Sequence, residues 1–318
     1  MASTGGPIAD LSYRGYDGQL DPPTKRWKVI AMHGVRTALK QNGRFWFFTG
    51  AAASWYYLVM LIVLFVMDQL SMGNASGLGQ ATDFFGGLNW DDQFIQGIGQ
   101  GCFGWLFAAV AFASGAIAND NRSNAMLVYL SKPCTKRDYL IGKWVGVWIP
   151  LTGFMLAPSL IFYVYGAFNY RAMEFISQDP FMIVKVVMAI AVVSAFYTSI
   201  AIGISSLFNQ GRMAGATLVG VFIFPYLFVR VMSGIMLNAR GVDSQLLERL
   251  SYLSIDRITS GLVKLWLDSD GARFMGGDDG PFISGPPEMM QAYPMIFGIG
   301  GLAVWIAWKR IRAVEVVK

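Results

Sequence analysis

Histidine and cysteine are almost missing from this 318-residue chain: His33 is the one histidine, and Cys102 and Cys134 are the two cysteines. A single histidine removes most histidine-based acid–base and metal chemistry. Two cysteines at different depths make neither a disulfide framework nor a zinc site. Charge is scarce too, with 14% Asp, Glu, Lys and Arg, where soluble domains carry about 25%. No Gly-x-x-x-x-Gly-Lys-[Ser/Thr] run occurs, since Gly142-Lys143 has no glycine loop before it and Trp144 after it. No His-Glu-x-x-His or Gly-x-Ser-x-Gly pattern appears either. We therefore expect no catalytic residue, no metal and no cofactor bound by this chain. The first residues lack an apolar stretch and so do not read as a signal peptide. Residues 1–24 are expected to be a disordered tail.

What the chain has in abundance is hydrophobic surface: 54% apolar residues and a mean hydropathy of +0.45. A membrane-spanning helix needs about 20 mostly apolar residues, and six runs meet that length. They are Phe45–Met67, Phe94–Ile117, Leu140–Tyr165, Phe181–Phe208, Met213–Leu237 and Met290–Trp308. In lipid each must satisfy its own backbone, so the fold class predicted is an all-α integral membrane protein. Residues 25–318 form one transmembrane domain, with residues 238–289 as an external segment; treating that segment differently would give five or seven spans.

Basic residues in short flanks set orientation. Residues 68–93 hold Asp68, Asp83, Asp91 and Asp92 and no Lys or Arg, whereas residues 118–139 hold Arg122, Lys132, Lys136 and Arg137. Lys309, Arg310, Arg312 and Lys318 follow the last span. All three agree on a multi-pass protein of the cytoplasmic (inner) membrane with both termini in the cytoplasm. Before the first span, residues 25–42 place Trp27, Ile30, Ala31, Gly34, Val35 and Ala38 at helical spacing, with Lys28, Arg36 and Lys40 on another face. This is a basic amphipathic helix suited to the headgroup layer.

Residues 118–143 are the most distinctive stretch. A polar start, Asn119-Asp120-Asn121-Arg122, leads into Ser123-Asn124-Ala125-Met126-Leu127-Val128-Tyr129-Leu130. Then come Ser131-Lys132-Pro133-Cys134-Thr135 and Lys136-Arg137-Asp138-Tyr139, before Gly142-Lys143. Pro133 cannot continue a helix. Thr135 can cap the next one, with Asp138 completing a capping box. Arg137 and Lys143 suit anchors at an anionic leaflet where the chain enters the membrane.

This layout resembles the permeases of type-2 ABC exporters. In that family a polar or acidic residue precedes a short helix ending in Leu-Ser-x-Pro, here Leu130-Ser131-Lys132-Pro133. A capping hydroxyl, Arg and Gly-Lys follow, here Thr135, Arg137 and Gly142-Lys143. Two features depart from it: Ser123-Asn124-Ala125-Met126 stands where Gly-Thr-Leu-Glu is frequent, and Cys134 replaces an aliphatic residue.

The resemblance implies that a short cytoplasmic coupling helix touches a separate ATPase. The residues it assigns to that contact are Asp120, Arg122, Ser123, Asn124, Met126, Leu127, Tyr129, Leu130 and Ser131. It also implies two copies of this chain, two ABC ATPase subunits carrying ATP and Mg, the lipid bilayer, room for an extracytoplasmic accessory protein, and no nucleic acid. The family handles lipids, glycans, peptides, drugs and copper-centre precursors, and nothing in the sequence chooses among them. A stand-alone secondary transporter or channel is the alternative. It would need charges or broken helices at midplane, which only Arg230 and Pro225 suggest.

Weaker signals complete the reading. Gly97/Gly101, Gly142/Gly146 and Gly211/Gly215 allow close helix approach and fit packing within one subunit. Arg230 is a candidate pathway charge or a snorkelling side chain; Lys185 reads as the latter. Residues 251–266 resemble the family's external segment before the last span. They form either a surface helix or one that dips into the outer leaflet. Residues 268–287 read as an exposed loop.

Overall fold

The computed structural model describes residues 26–41, 43–73, 88–125, 134–170, 175, 179–238, 250, 252–269 and 289–311. They form helices and no strand: α1 (Arg26–Leu39), α2 (Gly43–Gly73), α3 (Trp90–Gln100), α4 (Cys102–Ala113) and α5 (Ala118–Arg122). Then follow α6 (Lys136–Asn169), α7 (Met182–Leu207), α8 (Gly211–Asn238), α9 (Ile255–Leu267) and α10 (Met289–Arg310). Six segments are long and apolar enough to cross a membrane: Gly43–Leu70, Cys102–Arg122, Lys136–Asn169, Met182–Leu207, Gly211–Met236 and Ala292–Arg310.

Helix α7 is the centre of the bundle. It is the most enclosed span, touched by α4, α6, α8, α9 and α10. Its hydroxyls pay no polar penalty where they bond the preceding turn: Ser194 Oγ donates to the Ile190 carbonyl at 2.7 Å. By contrast α2, α8 and α10 turn Phe47, Phe65, Phe224, Phe297 and Leu302 outward, as a lipid-facing belt requires.

The expected span Phe94–Ile117 is broken in two places. Asn89 caps α3, its side chain accepting from the Asp91 N–H at 3.0 Å. The chain then bends at Gly101, and the apolar crossing starts at Cys102. Phe94, Ile95 and Ile98 are buried in protein rather than lipid; Phe94 meets Tyr57 and Phe162. Apolar composition alone does not separate these two fates. The second break spans residues 114–117. Helix α6 starts at Lys136, ahead of the expected Leu140, because Thr135 and Asp138 form the capping box.

Small residues set the closest approaches, all within this one chain. A Cβ at Gly104 would stand 2.5 Å from Ala53 of α2. One at Gly146 would stand 3.0 Å from the Ala31 carbonyl, and one at Gly34 3.0 Å from Gly146 Cα. Helix α1 thus lies against α6 backbone to backbone. Helix α9 is amphipathic and turns inward, burying Ile258, Leu262, Val263 and Leu267 against α3, α7 and α10. The bundle has an α1 end, where α6 begins, and an α9 end, where α6 finishes near Trp90 and Phe175.

Candidate functional site

The site is the joint at the α1 end, where residues 114–122 meet the start of α6 and the finish of α7. The helix break leaves backbone groups without intrahelical partners. One hydroxyl satisfies three of them. Ser205 Oγ donates to the Ser114 carbonyl at 2.9 Å and accepts from the Ile117 and Ala118 N–H groups at 3.1 Å each. That is the full capacity of a serine hydroxyl. Asn121 returns the favour, donating from Nδ2 to the Phe208 carbonyl at 3.1 Å and the Ser206 carbonyl at 3.4 Å. The last turn of α7 and the α4–α5 break therefore cap each other.

Asp120 faces the other way, toward α6. Its Oδ2 pairs with Lys143 Nζ at 2.7 Å and accepts from the Tyr139 hydroxyl at 2.7 Å. Tyr139 and Lys143 are four apart on one helical face, and the ammonium lies 5.7 Å from the tyrosine ring. Both charged side chains are largely sheltered, at 14% and 17% exposure. The structure thus brings together two residues that the sequence placed in different roles, and gives Lys143 a protein partner. Neither Tyr139 nor Ser205 was singled out from sequence. The Tyr-x-x-x-Lys spacing was a usable signal for the first; a serine in an apolar run gave none for the second.

Among the other candidates, Arg122 and Ser123 are exposed, with Ser123 Oγ donating to the Asn119 carbonyl at 2.9 Å. Asn124 ends the segment with φ of 52°, a left-handed conformation that asparagine tolerates better than most residues. Arg137 is exposed on the first turn of α6, beside the capping box in which Thr135 Oγ1 accepts from the Asp138 N–H at 3.2 Å. Burial pushes the Cys134 thiol up from its ordinary value. Met126, Leu127, Tyr129, Leu130 and Ser131 lie outside the described residues. Arg230 sits far away, toward the α9 end of α8, exposed and 5.1 Å from the Tyr226 ring.

The joint borders an open cavity of about 1180 Å³. Arg122, Lys143 and Arg212 reach it, with Asp120 as its one carboxylate and His33 at its rim. No group of residues among those described could hold a metal ion.

Hydrogen bonds and one ion pair thus hold α5 against α6 and the last turn of α7. Residues 42–307 match the family described as ABC-2 family transporter protein. The chain belongs to that family: it is a multi-pass membrane protein and the permease component of an ABC transporter. Members are transmembrane components rather than catalysts, and family membership implies an ABC ATPase as partner in general. The match covers the six candidate spans up to residue 307 and begins after α1. No curated protein and no solved structure matches the chain.

Proposed function

We propose that two copies of this chain form a transmembrane unit in the cytoplasmic membrane. Two ATPase subunits, which bind ATP and Mg, dock against residues 120–131 and drive a substrate between the copies. Both termini then lie in the cytoplasm, and the α1 end is the cytoplasmic end. The observation that supports this reading is the latch at Asp120. It ties α5 to α6 through Lys143 and Tyr139, while Asn121 beside it ties α5 to the last turn of α7. A push on this short helix reaches two spans at once without passing through a flexible link.

The test combines binding with topology. Residues 125–130 are unbroken apolar sequence in a polar loop, and such surface calls for a partner. Leu127→Asp should abolish copurification with the ATPase, or uncouple hydrolysis from transport, while Gly277→Asp does neither. Wild-type binding and transport by Leu127→Asp would remove residues 120–131 from the coupling role. Cysteines at Asn74 and Gly277 should react with an impermeant reagent from outside and one at Asn121 should not; labelling of Asn121 from outside would reverse the orientation.

A further inference from the structure

The joint at the α1 end leaves one of its side chains unused. Asp120 ties α5 to α6 through Lys143 and Tyr139, and Asn121 ties it to the last turn of α7. Arg122, next in sequence, is exposed and has no ion-pair partner among the described residues. It lines the large cavity instead. Arg212, on the first turn of α8, lines the same cavity, is exposed, and likewise has no ion-pair partner among the described residues.

Backbone packing brings these two arginines, distant in sequence, to one rim. A Cβ at Gly211 would stand 3.1 Å from both Asn119 Oδ1 and Gly115 Cα, so the first turn of α8 rests on the start of α5. Asn119 and Arg122 are three apart and share a helical face; Arg212 follows Gly211 directly. The cavity's one carboxylate among the described residues, Asp120, is committed to Lys143 and Tyr139. That ion pair is neutral as a unit, so the two arginines leave the cavity with uncompensated positive charge. Below the rim the walls turn apolar, with Val110 and Phe112 of α4, Val147 of α6, and Ala216 and Val219 of α8. From Arg212 to Val219 is about 10 Å of helix, so the cavity runs from headgroup depth into the hydrocarbon. A soluble anion would leave that wall against water, whereas an acyl chain covers it.

We propose that this cavity binds an anionic membrane lipid, with its phosphate between Arg122 and Arg212 and its acyl chain against Val110, Val147 and Val219. Basic pockets between helices at the inner face of a membrane suit such heads. The phosphate accepts charge-assisted hydrogen bonds from both guanidiniums, whose forks match it. It thereby links α5 to α8, and the joint holds three spans, α6, α7 and α8, in place of two. A zwitterionic head brings its own cation into the same space and loses that advantage. The reading of the α1 end as cytoplasmic decides only which leaflet supplies the lipid.

The experiment titrates the full chain, without ATPase, in dodecyl maltoside micelles, and native mass spectrometry reads the occupancy of the first bound lipid. Phosphatidylglycerol should bind at least about tenfold more tightly than phosphatidylcholine, the effect expected of one charge-assisted hydrogen bond. Arg122→Gln and Arg212→Gln should each reduce that preference severalfold. The double variant should lose little more than either single one, because one phosphate needs both arginines. Arg310→Gln removes an exposed cation at the same end but outside the cavity, and should leave the preference unchanged. Hydrogen exchange of the unaltered chain keeps the test open should a variant misfold. Saturating phosphatidylglycerol should slow the amides of residues 119–123 and 211–214 and leave those of 306–310 as they were.

Equal binding of the two lipids, or a preference untouched in both glutamine variants, would overturn the proposal. So would losses that multiply in the double variant, as independent surface charges give, and exchange that stays unslowed at either segment. Displacement of phosphatidylglycerol by inorganic phosphate at equal concentration would make the site one for a free anion, and overturns it as well. An Ala216→Cys cross-link between copies that forms fully in saturating phosphatidylglycerol does the same, since a second copy then fills the cavity. Because no ATPase is present, failure here leaves the transporter reading standing, and failure of the Leu127→Asp test leaves lipid binding untouched.

Discussion

Removing one oxygen from the joint should cost more than its size suggests. Ser205→Ala deletes a hydroxyl that serves the Ser114 carbonyl and the N–H groups of Ile117 and Ala118. The side chain is fully buried, so water cannot replace it. Each such bond contributes about 0.5–1.5 kcal/mol net, and intramembrane hydrogen bonds average near 0.6 kcal/mol. Three together therefore amount to about 2–4 kcal/mol. Ser194→Ala is the matched control. It removes an equally buried hydroxyl of the same helix, but one that only bonds its own preceding turn at Ile190, and should cost below about 1 kcal/mol. Reversible unfolding in mixed detergent micelles, followed by ellipticity, gives both values. A Ser205→Ala change within about 0.5 kcal/mol of Ser194→Ala would mean that the break at residues 114–117 does not depend on this hydroxyl.

Gly146→Leu should detach α1 from α6, because even a Cβ there lies 3.0 Å from the Ala31 carbonyl; the cost is about 1–3 kcal/mol, and protease sensitivity within α1 reads it. Lys143→Met leaves Asp120 sheltered with only the Tyr139 hydroxyl, and a cycle with Asp120→Asn should return a coupling of about 1–2 kcal/mol, below a fully buried pair because both groups keep some exposure. Additive single changes would show that the pair is not coupled. At the α9 end, burial first and then the charge of Asp179 push the Asp91 carboxyl from 3.8 up to about 6. The folded chain then holds more proton than the unfolded one between those values, so stability falls as pH rises from about 4 to about 6 and is level above. Asp91→Asn should flatten that slope in thermal midpoints measured across the range, and an unchanged slope would assign it to another group.

How much of this was legible in sequence depended on whether a signal was local. The six spans follow from run length, and the Thr135–Asp138 capping box from a spacing of three. Both are properties of a few consecutive residues. Asp120 and Lys143 were each marked, one as polar start and one as anchor, but their pairing needs α5 folded against α6. Ser205 carries no mark in sequence, and Tyr139 only its spacing of four from Lys143. What distinguishes Ser205 from Ser194 is which backbone stands opposite, a tertiary fact. The inward face of α3 reads in sequence as the start of a span and that of α9 as a surface or outer-leaflet helix, since lipid and protein would bury the same Phe94 or Leu262.

The glycine contact between α1 and α6 makes the amphipathic helix a pointer. With Gly34 and Gly146 touching through backbone, the two helices have no side chain to give way at that point, so a tilt of α6 should carry α1 with it. Val29 and Met32 project from it, 70% and 54% exposed. A dye on Val29 would then register a tilt of α6 as a change in its own surroundings, on the face of α1 turned away from the bundle.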